Sequence, residues 1–211
     1  MALDPITRQS FAQIDAELAV RGVRRAPAEH ALLRRAIHAS ADFELIDTLR
    51  LHPAAIATGI AALRRGVRVI TDVRMVLVGL DHGRLARLGV QALCRVHTPA
   101  TARLAQTAGL TRSAAGLQRA LAAAGPAPIV VIGNAPTALR ELLRLISAGG
   151  ARPALVIGVP VGFVDAAESK AALMELNAPP WISVAGRKGG SPIAAALLNA
   201  LLRLALEEDD G

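Results

Sequence analysis

The chain has 211 residues, 53% of them apolar, and carries 24 Lys and Arg against 17 Asp and Glu for a formal charge of +7. That length fits one α/β domain with a sizeable core, and a single cysteine, Cys94, excludes an intrachain disulfide or a multi-cysteine metal cluster. With no Tyr, one Trp and three Phe, stacking platforms for nucleic acid are scarce, and no apolar run is long and unbroken enough to span a membrane.

Asp4-Pro5 reads as the cap and first turn of a helix ending near Gly22, with Phe11, Ile14 and Leu18 as its apolar stripe. Ser10 lies off the centre of that stripe, where a serine is most simply solvated. No secretory signal precedes this helix, so a cytoplasmic location is expected. Pro27 opens a second helix through Leu32, Leu33, Ala36 and Ile37, with His38 near its end. On spacing alone His38 is an interface or capping histidine. His30, His52, His82 and His97 stand at no ligand spacing to each other or to other ligands, so no metal site is expected.

Ala54 to Arg65 reads as a helix stopped by Gly66, and Val67 to Ile70 as the first strand. Asp72, just past that strand, either meets substrate or caps the segment Val73 to Val78; the cap is the favoured reading. Val90 to Val96 is the second strand, with Cys94 as a buried small hydrophobe within it. Pro99 begins another helical segment, and Thr111 caps the next, which runs to Ala124. Arg112 lies in that helix's first turn, where the macrodipole disfavours a cation. A bidentate carboxylate contact is one reason for such a charge; plain solvation is the other.

From Ile129 to Leu202 the pattern strand, small-residue loop, helix occurs three times. The strands are Ile129 to Ile132, Ala154 to Ile157 and Trp181 to Val184. The loops are Gly133-Asn-Ala-Pro136, Gly158-Val-Pro-Val-Gly162-Phe and Gly186-Arg-Lys-Gly-Gly-Ser-Pro192. Such alternation reads as βαβ units on a parallel sheet, whose ligand crevice lies outside the carboxyl ends of the strands. Glycines there permit close backbone approach and positive φ. Asn134 and Ser191 can cap the helices that follow, and Pro136 and Pro192 suit first turns. Helix N-termini favour anions, and Arg187 and Lys188 add full charges. The floor therefore expects a polyanion, although glycines in βα turns also serve tight packing alone.

No G-x-x-x-x-G-K-[ST], no G-x-G-x-x-G after the first strand and no G-x-S-x-G elbow is present. Glu168 and Lys170 sit two apart on a helix and do not face each other; one is expected to be solvated. The stretch 207–211 is an acidic, fraying end. Together these elements predict a three-layer α/β domain over 1–211, with a mostly parallel five-stranded sheet and helices on both faces. A mainly helical N-terminal portion (1–66) precedes the parallel core (67–207).

Several of these segments resemble the precorrin-8X methylmutase family of cobalamin biosynthesis. They are Gly133 to Leu139, Gly158 to Lys170 and Gly186 to Ser191, joined upstream by Ser10 to Glu17, Ile37 to Ser40, Asp72 to Val76 and Thr111 to Ala115. They cover nearly the whole chain in the family's order. Thr7 and Gln9 stand where the family often has aromatic and basic residues, so hydrogen bonding from the first helix is expected to differ in detail.

The resemblance implies an isomerase that moves a methyl group from C-11 to C-12 of a corrin-type macrocycle, without an external cofactor. His38 corresponds to the family's histidine, which protonates or hydrogen-bonds a nitrogen of ring C; imidazole changes protonation near neutrality and suits that task. Ser10, Arg112, Ser113, Asn134, Gly162 and Ser191 correspond to substrate-binding positions. The implied ligand is a tetrapyrrole polycarboxylate, with or without cobalt, which a basic chain can attract. A homodimer or other homo-oligomer is implied too, its site completed near the subunit interface by the N-terminal helices. The rival reading is a non-catalytic corrinoid carrier.

Overall fold

The computed structural model describes residues 4–207; the segments 1–3 and 208–211, most of the acidic end among them, lie outside the described residues. Helices α1 (Pro5–Val20) and α2 (Pro27–Ser40) come first. Asp4 caps α1 by accepting from the Thr7 N–H at 3.0 Å, as the Asp-Pro pair predicts. A short α3 (Leu45–Thr48) leads into β1 (Leu49–Leu51), and α4 (Ala55–Arg64) into β2 (Val69–Thr71). Next come α5 (Arg74–Val78), α6 (His82–Arg87), β3 (Ala92–Leu93), α7 (Pro99–Ala108) and α8 (Arg112–Ala124). The rest alternates as expected: β4 (Ile129–Ile132), α9 (Pro136–Ser147), β5 (Leu155–Gly158), α10 (Ala166–Met174), β6 (Trp181–Val184) and α11 (Ser191–Ala205).

The sheet has six strands rather than five, in the order β1-β6-β5-β4-β2-β3. β1 is the addition. It runs antiparallel to β6, with Leu49 opposite Val184 and Leu51 opposite Ile182. Three residues are too few to display a period, and β1 follows a helical turn without a break. The second expected strand contracts to Ala92–Leu93, an edge strand paired with β2 alone. Cys94 lies beyond it, half-buried and free rather than buried in a strand.

The layers follow from the strands. In β4, β5 and β6 every residue is buried, and alternate residues point to opposite faces. Val131, Ile157 and Ile182 join one core with Leu33 and Ile37 of α2, Leu63 of α4 and Leu197 and Leu201 of α11. Val130, Ile132, Val156 and Trp181 join the other with Leu117 of α8, Leu139 of α9 and Leu173 of α10. A strand apolar at every position is the mark of a sheet covered on both sides, and each such side chain contributes about 1.5–3 kcal/mol when fully buried. No helix among the described residues is long and apolar enough to cross a membrane.

This arrangement gathers the functional segments at one edge. The parallel strands β2, β4, β5 and β6 all end there. Because β1 is antiparallel, its first residue also lies there, so the connection from α2 through Asp42 and Glu44 arrives beside the third loop.

Candidate active site at the carboxyl edge of the sheet

The floor is made of the loops after β4, β5 and β6, and they are packed on one another through backbone. The Gly190 N–H donates to the Val159 carbonyl at 2.8 Å, and the Gly162 N–H to the Arg187 carbonyl at 3.2 Å. A Cβ at Gly133 would stand 2.8 Å from side chains of Ala194 and Val76, and one at Gly189 would stand 2.2 Å from the Val159 carbonyl oxygen. At those two positions loop packing demands glycine, not a ligand. Gly186 differs: its φ is +76° and nothing lies within 4 Å of the missing Cβ.

Gly189→Ala is expected to cost about 2–3 kcal/mol, because its φ of +153° and a backbone oxygen both oppose a side chain. A melting temperature equal to wild type would refute that packing role.

Asp72 is 1% exposed and is not the N-cap of α5, a position held by Val73 without a side-chain cap bond. Its carboxylate instead accepts the N–H groups of Gly133 (3.1 Å), Asn134 (2.9 Å) and Ala135 (2.8 Å), fixing the first loop. Burial pushes this carboxyl above its usual range, opposed by those three N–H bonds and by that of Val73. The caps expected from Asn134 and Ser191 are likewise absent. Ala135 is the N-cap of α9 and Gly190 that of α11, neither with a side-chain bond. Asn134 is exposed. Ser191 occupies the first turn of α11, its hydroxyl buried without a partner.

Arg112 and Ser113 open α8 after Thr111, whose hydroxyl accepts from the Ala114 N–H at 3.2 Å. The Thr111 and Thr137 hydroxyls are 2.8 Å apart, which ties the start of α8 to that of α9. Arg112 is exposed and Ser113 half-buried.

His38 stands exposed near the end of α2. Its Nδ1 is 3.2 Å from the Ser10 hydroxyl on α1, the donor depending on the tautomer. Its ring meets Phe11 edge-on, with centroids 5.1 Å apart. Two cations flank the same Phe11 ring: the Arg34 and Arg35 guanidinium groups lie 4.5 and 5.0 Å from its centroid. Arg34 is itself paired with Asp15 at 2.7 Å.

The His38 helix is tied to the floor by Lys188. Its ammonium donates to Asp42 at 2.7 Å and lies 2.8 Å from Glu44. The Lys188 hydrogen bond holds the Asp42 carboxyl below its usual range. Lys188 is therefore occupied within the protein rather than free for an anion. Arg187 lies over the Phe163 ring at 5.7 Å. Phe163 and Val164 are 86% and 84% exposed. With Val161, Gly162, Arg187 and Lys188, Phe163 lines a shallow cavity of about 270 Å³. Arg140 grips Asp165 with two nitrogens at 2.6–3.0 Å and so anchors the far end of this loop.

The structure thus brings Ser10 and His38 into contact, and places Arg112 and Ser113, Asn134, Gly162 and Ser191 on four segments of one edge. Of the pair expected to hold a solvated member, Glu168 is exposed. Lys170, by contrast, is fully buried and donates to the Lys188 carbonyl, a residue the spacing did not single out. Among the described residues no group of His, Cys, Asp and Glu is placed to hold a metal ion.

Comparison with known proteins bears on the fold and the family. The family model described as precorrin-8X methylmutase matches residues 5–204. A cobalt-precorrin-8 methylmutase of Leptospira interrogans is 42% identical, over 94% of this chain and 92% of its own. A precorrin-8X methylmutase of Pseudomonas aeruginosa is 43% identical, over 93% of each chain. The crystal structure of precorrin-8X methylmutase from Thermus thermophilus superposes with a TM-score of 0.86 at 40% identity, covering 98% of both chains.

Proposed function

The chain belongs to the precorrin-8X methylmutase family, and we propose from that premise that it moves a methyl group from C-11 to C-12 of precorrin-8X or its cobalt-containing counterpart, with His38 as the acid. It is an isomerase of corrin biosynthesis. The products are hydrogenobyrinate or cobyrinate. The bond from the methyl group to C-11 breaks as that to C-12 forms, and the ring π electrons shift with it. No atom or electron is gained or lost.

The observation that carries this reading is the Ser10–His38 pair. Ser10 engages Nδ1 at 3.2 Å, and the opposite ring nitrogen, Nε2, belongs to an exposed side chain. An imidazole oriented in this way can hold a proton on a ring C nitrogen while the methyl migrates. Ser10→Ala removes only the orienting bond, worth about 0.5–1.5 kcal/mol. Its kcat is expected to fall about three- to tenfold; an unchanged kcat would separate Ser10 from the acid.

The rest of the catalysis is positional. Arg112, Ser113, Asn134, Gly162 and Ser191 surround the carboxyl edge and are assigned to the ligand's acetate and propionate groups, Arg112 as the bidentate anchor. The exposed Phe163 and Val164 offer an apolar surface to a flat macrocycle. A cavity of about 270 Å³ is smaller than the ~300–1,000 Å³ that encloses even a drug-sized ligand. That shortfall supports a homodimer or other homo-oligomer, in which a second copy closes the site over the exposed His38. A cytoplasmic location goes with this biosynthetic role.

Purified protein mixed with metal-free precorrin-8X, and separately with the cobalt form, tests the reading by visible absorption, since the shift changes conjugation. Appearance of the hydrogenobyrinate or cobyrinate spectrum is expected. A ligand-bound spectrum that never progresses with either form would make the protein a carrier.

A further inference from the structure

Lys170 is the largest fully buried side chain among the described residues, and its ammonium donates to the Lys188 carbonyl in the third loop. The charged groups around it are engaged elsewhere. Asp165, at the start of α10, is gripped by Arg140 of α9. Glu141 of α9 is held by Arg144 and Gln118. Glu168 is exposed, the Lys188 ammonium turns to Asp42 and Glu44, and Arg187 lies over Phe163. β6, packed against α10, offers only Trp-Ile-Ser-Val. Among the described residues no carboxylate pairs with Lys170, and burial alone lowers its pKa, to about 8. A buried ammonium with one neutral partner costs stability. A methionine of similar shape would fill the same space without burying a charge, at the smaller cost of the bond to the Lys188 carbonyl.

We propose that Lys170 is a positioning residue that fixes a buried positive charge beneath the junction of the second and third loops, where it holds the Lys188 carbonyl and attracts the carboxylates of the bound ligand. The inference rests on the polycarboxylate reading given above. The charge lies just under the third loop, out of reach of the salt that screens surface lysines. In such a setting a single charge is felt strongly at the loop surface. Because the charge is the working element, polycarboxylate binding must weaken as Lys170 loses its proton. The stability effect has the opposite sign. Below about pH 8 the folded protein holds a charged, buried lysine, so removing the charge should not lower the melting temperature there.

The test is a set of absorption titrations with hydrogenobyrinate between pH 6.5 and 9.5, a range in which its carboxylates are all ionised. For the wild type, Kd is expected to rise about tenfold through pH 8. Lys170→Met is expected to show the high-pH Kd at every pH, with a melting temperature at pH 7 no lower than wild type. A wild-type Kd that is flat across pH 8 overturns the inference without any variant, as does a Lys170→Met profile that follows wild type. Absence of wild-type binding at every pH overturns the polycarboxylate reading itself, and the inference with it.

Discussion

His38→Ala is expected to slow turnover of precorrin-8X about 10²- to 10⁴-fold, the usual contribution of a positioned acid, while ligand affinity changes little. The side chain is exposed at the end of α2, where it meets the Ser10 hydroxyl and the Phe11 ring. Truncation therefore leaves no cavity in the core, and the melting temperature should hold. Many contacts along the carboxyl edge share the binding of the macrocycle, whereas one group is assigned to ring C. Loss of kcat with KM preserved marks an interaction made in the transition state. Single-turnover absorbance with enzyme in excess isolates that step. A folded His38→Ala protein with full turnover would remove the histidine from the mechanism.

Asp72→Ala carries the largest expected effect on stability. Its carboxylate accepts three backbone N–H groups from the first loop, two of them fully buried, and each orphaned buried donor costs about 1–3 kcal/mol. A loss of about 3–5 kcal/mol in all should lower the melting temperature by roughly 10–15 °C for a chain of this size. Asp72→Asn keeps one acceptor oxygen but turns an NH₂ toward the same donors, so it should fall between the two. An alanine variant that melts within 2–3 °C of wild type would mean that the loop is fixed by its packing against Ala194 and Val76 instead.

What the sequence revealed and what it hid follow from the range of the forces involved. β4, β5 and β6 were legible because each is a short, mainly apolar run that ends in a loop of small residues, a local pattern. β1 was not, since Leu-Arg-Leu pairs with β6 more than 130 residues away and bears no period of its own. Helix caps at Asp4 and Thr111 depend on neighbours three residues on, and both formed as read. Asp72 defeated the same logic because its partners lie 61–63 residues downstream.

The candidate site divides in the same way. The carboxyl edge as a ligand floor followed from the order of the elements, and the structure does place the three loops side by side. Ser10 and His38 lie 28 residues apart on two helices, and nothing in either helix pattern pairs them; the resemblance to a family gave each a role at the site but not their contact. Lys188 looked like a free cation for an anion, yet Asp42 and Glu44, brought to the edge by the unforeseen β1, neutralise it. Lys170 gave no local sign of burial. Its position two residues from Glu168 resembles a solvated helix face, and its one partner is a backbone carbonyl 18 residues on.

The methyl migration itself is the central claim, and isotope tracing tests it most directly. Precorrin-8X carrying ¹³C in its C-11 methyl group would be converted by the purified protein and the product examined by NMR and mass spectrometry. A product of unchanged mass with the full label on the C-12 methyl group is expected. A label still at C-11, or lost from the product, would contradict it.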